Sequence, residues 1–356
     1  MSNHDHTHDD SLVKVSVENT TGILELNRPR ALNSLNDEMI RIILGALEKW
    51  KDDDNITQVL VFSSHEKAFC AGGDVRFARD GMAANKASEI YSFFAEEYRM
   101  NALISEYPKP YVALIDGIAM GGGLGVSAHG SHRIVTEKIV AAMPEMAIGF
   151  VTDVGMSWFF QRMIGALGHP SPALAAFLGL SGYRLDAADT MWSGLGTHLI
   201  ASENTDAFRN LMIAEGIDAA VAKFQLSATG ESTLSRWYPA IEECFSRGSW
   251  SAIFSALKNS DDEEFRERTL ELLEFASPTS LVATAEVFVA NETAADIHQG
   301  LANEWIVGKE LLDSHDFMEG VRAVLVDKDR NPSFSPGSAQ DVDVRYWQEK
   351  LPAPRA

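Results

Sequence analysis

The chain has 356 residues, 46% hydrophobic and 23% charged, with a net charge of −21 at pH 7. That length suits one large or two unequal domains, and the composition excludes a disordered, collagen-like or coiled-coil chain. The acidic balance argues against a general nucleic-acid binder and against attraction to anionic lipid surfaces.

Two cysteines, Cys70 and Cys244, lie too far apart in sequence for a disulfide framework and read as reduced thiols. No apolar stretch reaches the length of a membrane span. The first eleven residues, MSNHDHTHDDS, lack the basic and apolar regions of a signal peptide and the basic character of a transit peptide. A cytoplasmic protein is expected from these features.

Residues 1–11 read as a polar, solvated tail, in which the alternating His4, His6 and His8 have nothing to fix a metal geometry. Val13, Val15 and Val17 alternate with polar residues as in a strand, and Gly22 turns into a second one at 23–26. Asn36 suits an N-cap before Met39, Ile40, Ile43, Leu44 and Leu47, whose spacing predicts an amphipathic helix. Residues 59–62 form a short buried strand. A helix over 88–105 is stopped by Pro108 and Pro110 ahead of a strand at 111–115. Gly121, Gly122 and Gly123 then open a small-residue helix predicted to run through Ala128. A strand at 133–135 follows, and helices fill the chain to about Gly194. Beyond Ile200 strand signals become rare, and helices with acidic faces are predicted at 208–224, 236–258, 262–275, 280–290 and 297–312. The expected division is a tail at 1–11, a mixed α/β core at 12–200 and a helical C-terminal region at 201–356.

Three segments carry chemistry. Phe69-Cys70-Ala71-Gly72-Gly73-Asp74 lies between a strand and a helix, where two glycines free backbone N–H groups to face an anion or a developing oxyanion; an ordinary turn is the bland alternative. Met120-Gly121-Gly122-Gly123-Leu124-Gly125 offers the N–H groups of a helix start. Gly123-x-Gly125-x-x-Ala128, with Glu145 downstream, also matches a dinucleotide fingerprint, but 116–120 separate it from the preceding strand. Glu145 and Asp153 are two carboxylates in a largely apolar segment, an arrangement suited to dividing acid, base or nucleophile roles. For Asp153 the competing reading is a cap of the helix that follows. Cys70 reads as a small buried hydrophobe, His129 and His132 as structural residues, and no metal-ligating pattern stands out.

In this order and spacing the segments resemble the crotonase (enoyl-CoA hydratase/isomerase) superfamily. Leu180-Ser181-Gly182-Tyr183-Arg184-Leu185 with Gly194-Leu195 resembles it too. Hydratases of that superfamily carry a glutamate three residues after the oxyanion-hole glycine and another about twenty residues on; here the first position is Gly125 and the second Glu145. Met143-Pro144-Glu145, followed eight residues later by Asp153-Val154-Gly155, resembles instead the 3-hydroxyisobutyryl-CoA hydrolase branch. Phe94-Ala95-Glu96-Glu97-Tyr98, Ser277-Pro278-Thr279-Ser280-Leu281 and the stretch from Asp316 to Asp329 agree with that branch.

The resemblance implies a spiral of ββα units, two sheets at an angle ringed by helices, with a helical C-terminal region. It implies hydrolysis of 3-hydroxyisobutyryl-CoA to 3-hydroxyisobutyrate and coenzyme A in valine degradation. The thioester oxygen would bind Gly73 and Gly122, with the helix N-terminus steadying its charge. Glu145 would act as general base or nucleophile, with Asp153 orienting groups and Glu97 binding the substrate hydroxyl. Arg28, Ala31, Ala68, Ala71 and Asp74 would contact the coenzyme A part, Arg28 meeting phosphate. No cofactor or metal beyond the substrate's own coenzyme A is implied, the partner is the acyl-CoA, and a homo-oligomer is compatible. The alternatives on the same fold are an enoyl-CoA hydratase or isomerase, a decarboxylase, and a non-catalytic acyl-CoA binder.

Overall fold

A computed structural model describes residues 11–227 and 230–352, so the histidines of the tail lie outside the described residues. The alternating valines form β1 (Val13–Glu18), which pairs antiparallel with β2 (Thr21–Leu26). From β2 onward the strands of this sheet pair in parallel: β3 (Gln58–Ser63), β5 (Tyr111–Ile115), β7 (His132–Val135) and β9 (His198–Leu199) extend one six-stranded sheet. The near-continuous apolar runs of β3 and β5 follow from burial on both faces.

A second parallel sheet is made of three very short strands, β4 (Ala68–Cys70), β6 (Ile118–Met120) and β8 (Val140–Ala142). Each lies a few residues after a strand of the large sheet, so the chain alternates between sheets in successive ββα turns. Three residues are too few to show a period, and β6 occupies the 116–120 stretch that reads as a mere spacer in the sequence.

Helix α1 (Asp37–Lys51) begins as expected, with the Asn36 side chain accepting from the Met39 N–H at 3.0 Å and Met39, Ile40, Ile43, Leu44 and Leu47 buried. Helices α2 (Val75–Ala83) and α3 (Ala87–Ser105) follow β4. The glycine-rich helix predicted through Ala128 is shorter: α4 spans only Gly122–Gly125. Helices α5 (Met156–Phe159), α6 (Pro172–Ser181) and α7 (Ala187–Ser193) complete the first part. The rest is helical: α8 (Thr205–Glu215), α9 (Ile217–Phe224), α10 (Thr233–Phe245), α11 (Trp250–Lys258), α12 (Glu263–Leu273), α13 (Pro278–Glu292), α14 (Ile297–Leu312), α15 (His315–Val321) and α16 (Val344–Lys350).

One apolar core runs from Val13 to Leu351 through both parts. A smaller cluster packs Phe208, Met212, Ile217 and Ala220 of α8 and α9 against the other face of the large sheet. Among the described residues no single helix is long and apolar enough to cross a membrane.

Candidate active site

Because β4 and β6 are parallel neighbours, their C-terminal ends release two glycine turns side by side. Gly72 and Gly121 adopt φ of 120° and 49°, a region that glycine occupies without strain. A Cβ on Gly122 would lie 3.0 Å from the Gly73 nitrogen and 2.5 Å from Glu97 Oε1; one on Gly121 would lie 2.7 Å from Glu145 Oε1. The two turns, Glu97 and Glu145 therefore share one small space. Among the described residues neither the Gly73 nor the Gly122 N–H donates to another group, so both donors are free to meet one oxygen. Four residues of α4 make little macrodipole. Individual N–H groups, rather than the helix end expected from sequence, supply the polarity.

The dinucleotide reading fails on the same geometry. Helix α4 is too short to be a crossover helix, and Gly123 is required because a Cβ there would meet the Cys70 carbonyl oxygen at 2.2 Å.

Four carboxyl groups converge on this space. Glu97 comes from α3, Glu145 opens a 3-10 turn (Glu145–Ile148), Asp153 sits in the following loop and Glu304 on α14; all four are buried. Burial, reinforced by the nearby Asp153 charge, holds Glu97 and Glu145 well above the usual carboxylate range. Burial pushes Asp153 to about 7, opposed by the hydrogen bond its Oδ2 accepts from the Tyr98 hydroxyl at 2.8 Å. Glu304 is raised to about 8 by burial, opposed by the Ser157 hydroxyl. Like charges in so dry a site cannot all ionise, so protons are shared within the cluster. Glu97 Oε1 and Glu145 Oε2 have no hydrogen-bond partner among the described residues.

Asp153 is not a helix cap. The residue preceding α5 is Gly155, and the acceptor for the Gly155 and Ser157 N–H groups is the Glu304 carboxylate, at 2.8 and 3.0 Å. The hydratase position Gly125 is closed: a Cβ there would lie 2.8 Å from both Asn101 Nδ2 and Val154 Cβ. Asn101 is buried with both side-chain polar atoms unpartnered.

Tyr98, Asn101 and Glu304 carried no role in the sequence reading. A signal for Glu304 exists: it shares the apolar face of α14 with Gly300, Leu301, Val307, Gly308 and Leu311, an unusual place for a lone acid.

The residues expected to contact coenzyme A also gather. Ala31 ends a 3-10 turn (Pro29–Ala31), and the next residue's carbonyl accepts from the Ala71 N–H at 3.0 Å. Ala68 is buried in β4. Arg28 donates to Asp74 Oδ2 at 2.8 Å and to the Ser34 carbonyl at 2.9 Å, so its charge is already partnered. Cys70 is buried with its thiol pushed up to about 12 by desolvation, which removes it as a nucleophile. Buried His129 faces the Val154 carbonyl at 2.7 Å, as a structural residue would. No group of three or more His, Cys, Asp or Glu among the described residues is arranged to hold a metal ion.

A family profile described as Enoyl-CoA hydratase/isomerase matches residues 21–351. The chain belongs to this family. It is 38% identical over 336 residues to a Danio rerio protein named 3-hydroxyisobutyryl-CoA hydrolase, mitochondrial, covering 91% of this chain and 85% of that one. The Homo sapiens protein of the same name is 36% identical over 349 residues, with 94% and 87% covered. Among solved structures of the family, a carnitinyl-CoA dehydratase from Mycobacterium thermoresistibile superposes with a TM-score of 0.88 at 34% identity, covering 96% of this chain and 97% of that one. An enoyl-CoA hydratase from Rhodobacter sphaeroides 2.4.1 gives 0.87 at 30%, covering 96% and 98%. The crotonase-type spiral expected from sequence is thus the fold. The cytoplasmic expectation is corrected: both curated relatives are named mitochondrial. Two buried, reduced thiols suit any reducing compartment and do not discriminate between them.

Proposed function

We propose that this enoyl-CoA hydratase/isomerase family member hydrolyses the thioester of 3-hydroxyisobutyryl-CoA, giving 3-hydroxyisobutyrate and free coenzyme A. The observation that carries the reading is the pairing of two free N–H donors with Glu145 and Asp153, where the hydratase position Gly125 has neither a carboxylate nor space for one. The names of the curated relatives agree.

The N–H groups of Gly73 and Gly122 hold the thioester oxygen and stabilise the negative charge it gains, a contribution of about 10²–10³ in rate per donor. With the proton shared by the coupled pair resting on Asp153, the ionised Glu145 Oε2, buried and without a partner, attacks the thioester carbon. The C–S bond breaks, and the sulfur leaves as thiol with the proton held by Asp153. Water then attacks the acyl carbon of the resulting anhydride and passes a proton to the Asp153 carboxylate, which regenerates Glu145 and releases the acid. A carboxyl group poised near 7 suits both halves of this cycle. Glu97, neutral in its dry setting, donates its proton to the substrate hydroxyl. Tyr98 steadies Asp153, and the 28–33 loop with Ala68, Ala71 and Asp74 receives the coenzyme A part.

Acid quench within a single turnover tests this directly. Attack by Glu145 leaves the acyl group transiently on Glu145, found by mass spectrometry of the peptide that carries it, with thiol released ahead of the free acid. Thiol and acid released together, with no acylated Glu145, would replace direct attack with base-activated water.

A further inference from the structure

Val154 has φ of 50°, a left-handed conformation that a β-branched side chain strongly disfavours. It is fully buried and directly follows Asp153. Its peptide link to Gly155 is gripped at both polar atoms. The Val154 carbonyl meets His129 Nε2 at 2.7 Å, and the Gly155 N–H donates to Glu304 Oε2 at 2.8 Å. The other oxygen of Glu304 accepts from the Ser157 N–H and hydroxyl. Asn291 donates to that hydroxyl at 2.7 Å and accepts from Asn303 at 2.8 Å. A buried chain of polar groups from α13 and α14 therefore ends on the residue beside Asp153.

Capping four residues of α5 does not explain a fully buried glutamate, since a local Ser or Asp does that with far less desolvation. When ionised, Glu304 also raises Glu145, the carboxyl coupled to Asp153, and Asp153 itself already faces Glu97 and Tyr98 from α3, Glu145 from its turn, and His129 across the Val154 peptide.

We infer that Glu304 is a positioning residue: it clamps the strained Val154–Gly155 peptide so that the Asp153 carboxyl points into the reacting space. This rests on the role proposed above for Asp153. It assigns the helical C-terminal region a direct part in completing a site whose other groups come from the first half of the chain.

The test is Glu304→Gln in the full-length protein, measured as thiol release from 3-hydroxyisobutyryl-CoA across pH, beside Asp153→Asn. Glutamine keeps the length and one acceptor but turns an NH₂ toward a backbone N–H. The expected result is a kcat lower by about ten- to a hundredfold, with KM little changed. The pH-rate limb set by the Glu145–Asp153 pair should move to lower pH by roughly half a unit or more. A purely structural role would lower the melting temperature without moving that limb. Wild-type kcat and an unmoved limb in Glu304→Gln, with Asp153→Asn impaired, would overturn the inference and leave the role of Asp153 standing. Near-wild-type Asp153→Asn would instead remove the reading on which the inference rests. Should Glu304→Gln not fold, Ser157→Ala weakens the same clamp with little change of shape. It should move the limb in the same direction by less, and an unmoved limb there overturns the inference.

Discussion

Gly122→Ala is the sharpest probe of the oxyanion contact, because the added methyl goes where the substrate oxygen is expected. The φ of Gly122 is not among the positive values, so alanine is tolerated by the backbone. Its Cβ, however, would sit 2.5 Å from Glu97 Oε1, 3.0 Å from the Gly73 nitrogen and 3.3 Å from the Gly72 carbonyl carbon. The Glu97 carboxyl can swing away; the Gly72–Gly73 backbone, tied to Leu35 through the Gly72 carbonyl and the Asp74 N–H, cannot. Relief must come from separating the two donors by several tenths of an ångström, which takes at least one out of line with the oxygen. Loss of one donor costs about 10²–10³ in kcat, equivalent to about 2.7–4 kcal/mol of transition-state stabilisation. The assay is thiol release from 3-hydroxyisobutyryl-CoA, with circular dichroism and melting temperature as controls for folding. Turnover within threefold of wild type in a folded Gly122→Ala protein would refute the placement of the hole.

Glu145→Gln should keep the fold and acyl-CoA binding while removing at least ~10²-fold of hydrolysis, because an amide neither attacks nor takes a proton; retention of a tenth of wild-type turnover would take Glu145 out of the chemistry. The pH dependence of stability follows from the Asp153 shift: its native value of about 7 lies above its ordinary 3.8. The folded state therefore binds the extra proton, and stability is fully present below about pH 4 and falls as pH rises towards 7. Its share of the slope is at most about 1.4 kcal/mol per pH unit. Asp153→Asn should flatten denaturant-derived stability between pH 4 and 7; an unchanged slope would contradict the buried, protonated carboxyl. Cys70, buried with its thiol near 12, should resist iodoacetamide in the native protein and react on unfolding, and native labelling at Cys70 by mass spectrometry would show the 69–74 turn to be open.

Much of the site was legible because its parts are local. Gly72-Gly73 and Gly121-Gly122 declare their turns by composition, and Glu145 and Asp153 stand out as acids in apolar surroundings. Helices such as α1 and α14 carry a strong 3.6-residue period. The small sheet was implied by the resemblance alone, because Ala68–Cys70, Ile118–Met120 and Val140–Ala142 are too short to alternate. For Asp153 the competing cap reading is removed only by Glu304, 151 positions away, which takes the α5 N–H groups. For Arg28, read as meeting phosphate, the partner Asp74 lies 46 residues on. In each case the decisive neighbour is distant in sequence, and local pattern cannot report it.

The central claim is that the site breaks a thioester and does not add water to a double bond. Wild-type protein given 3-hydroxyisobutyryl-CoA with a thiol reagent, and crotonyl-CoA monitored by its conjugated absorbance, measures both at once. The account predicts rapid thiol release from the first and little or no hydration of the second, since Asn101 and Val154 fill the space beside Gly125 where a second water-controlling carboxylate would stand. Faster hydration of crotonyl-CoA than release of thiol would contradict it.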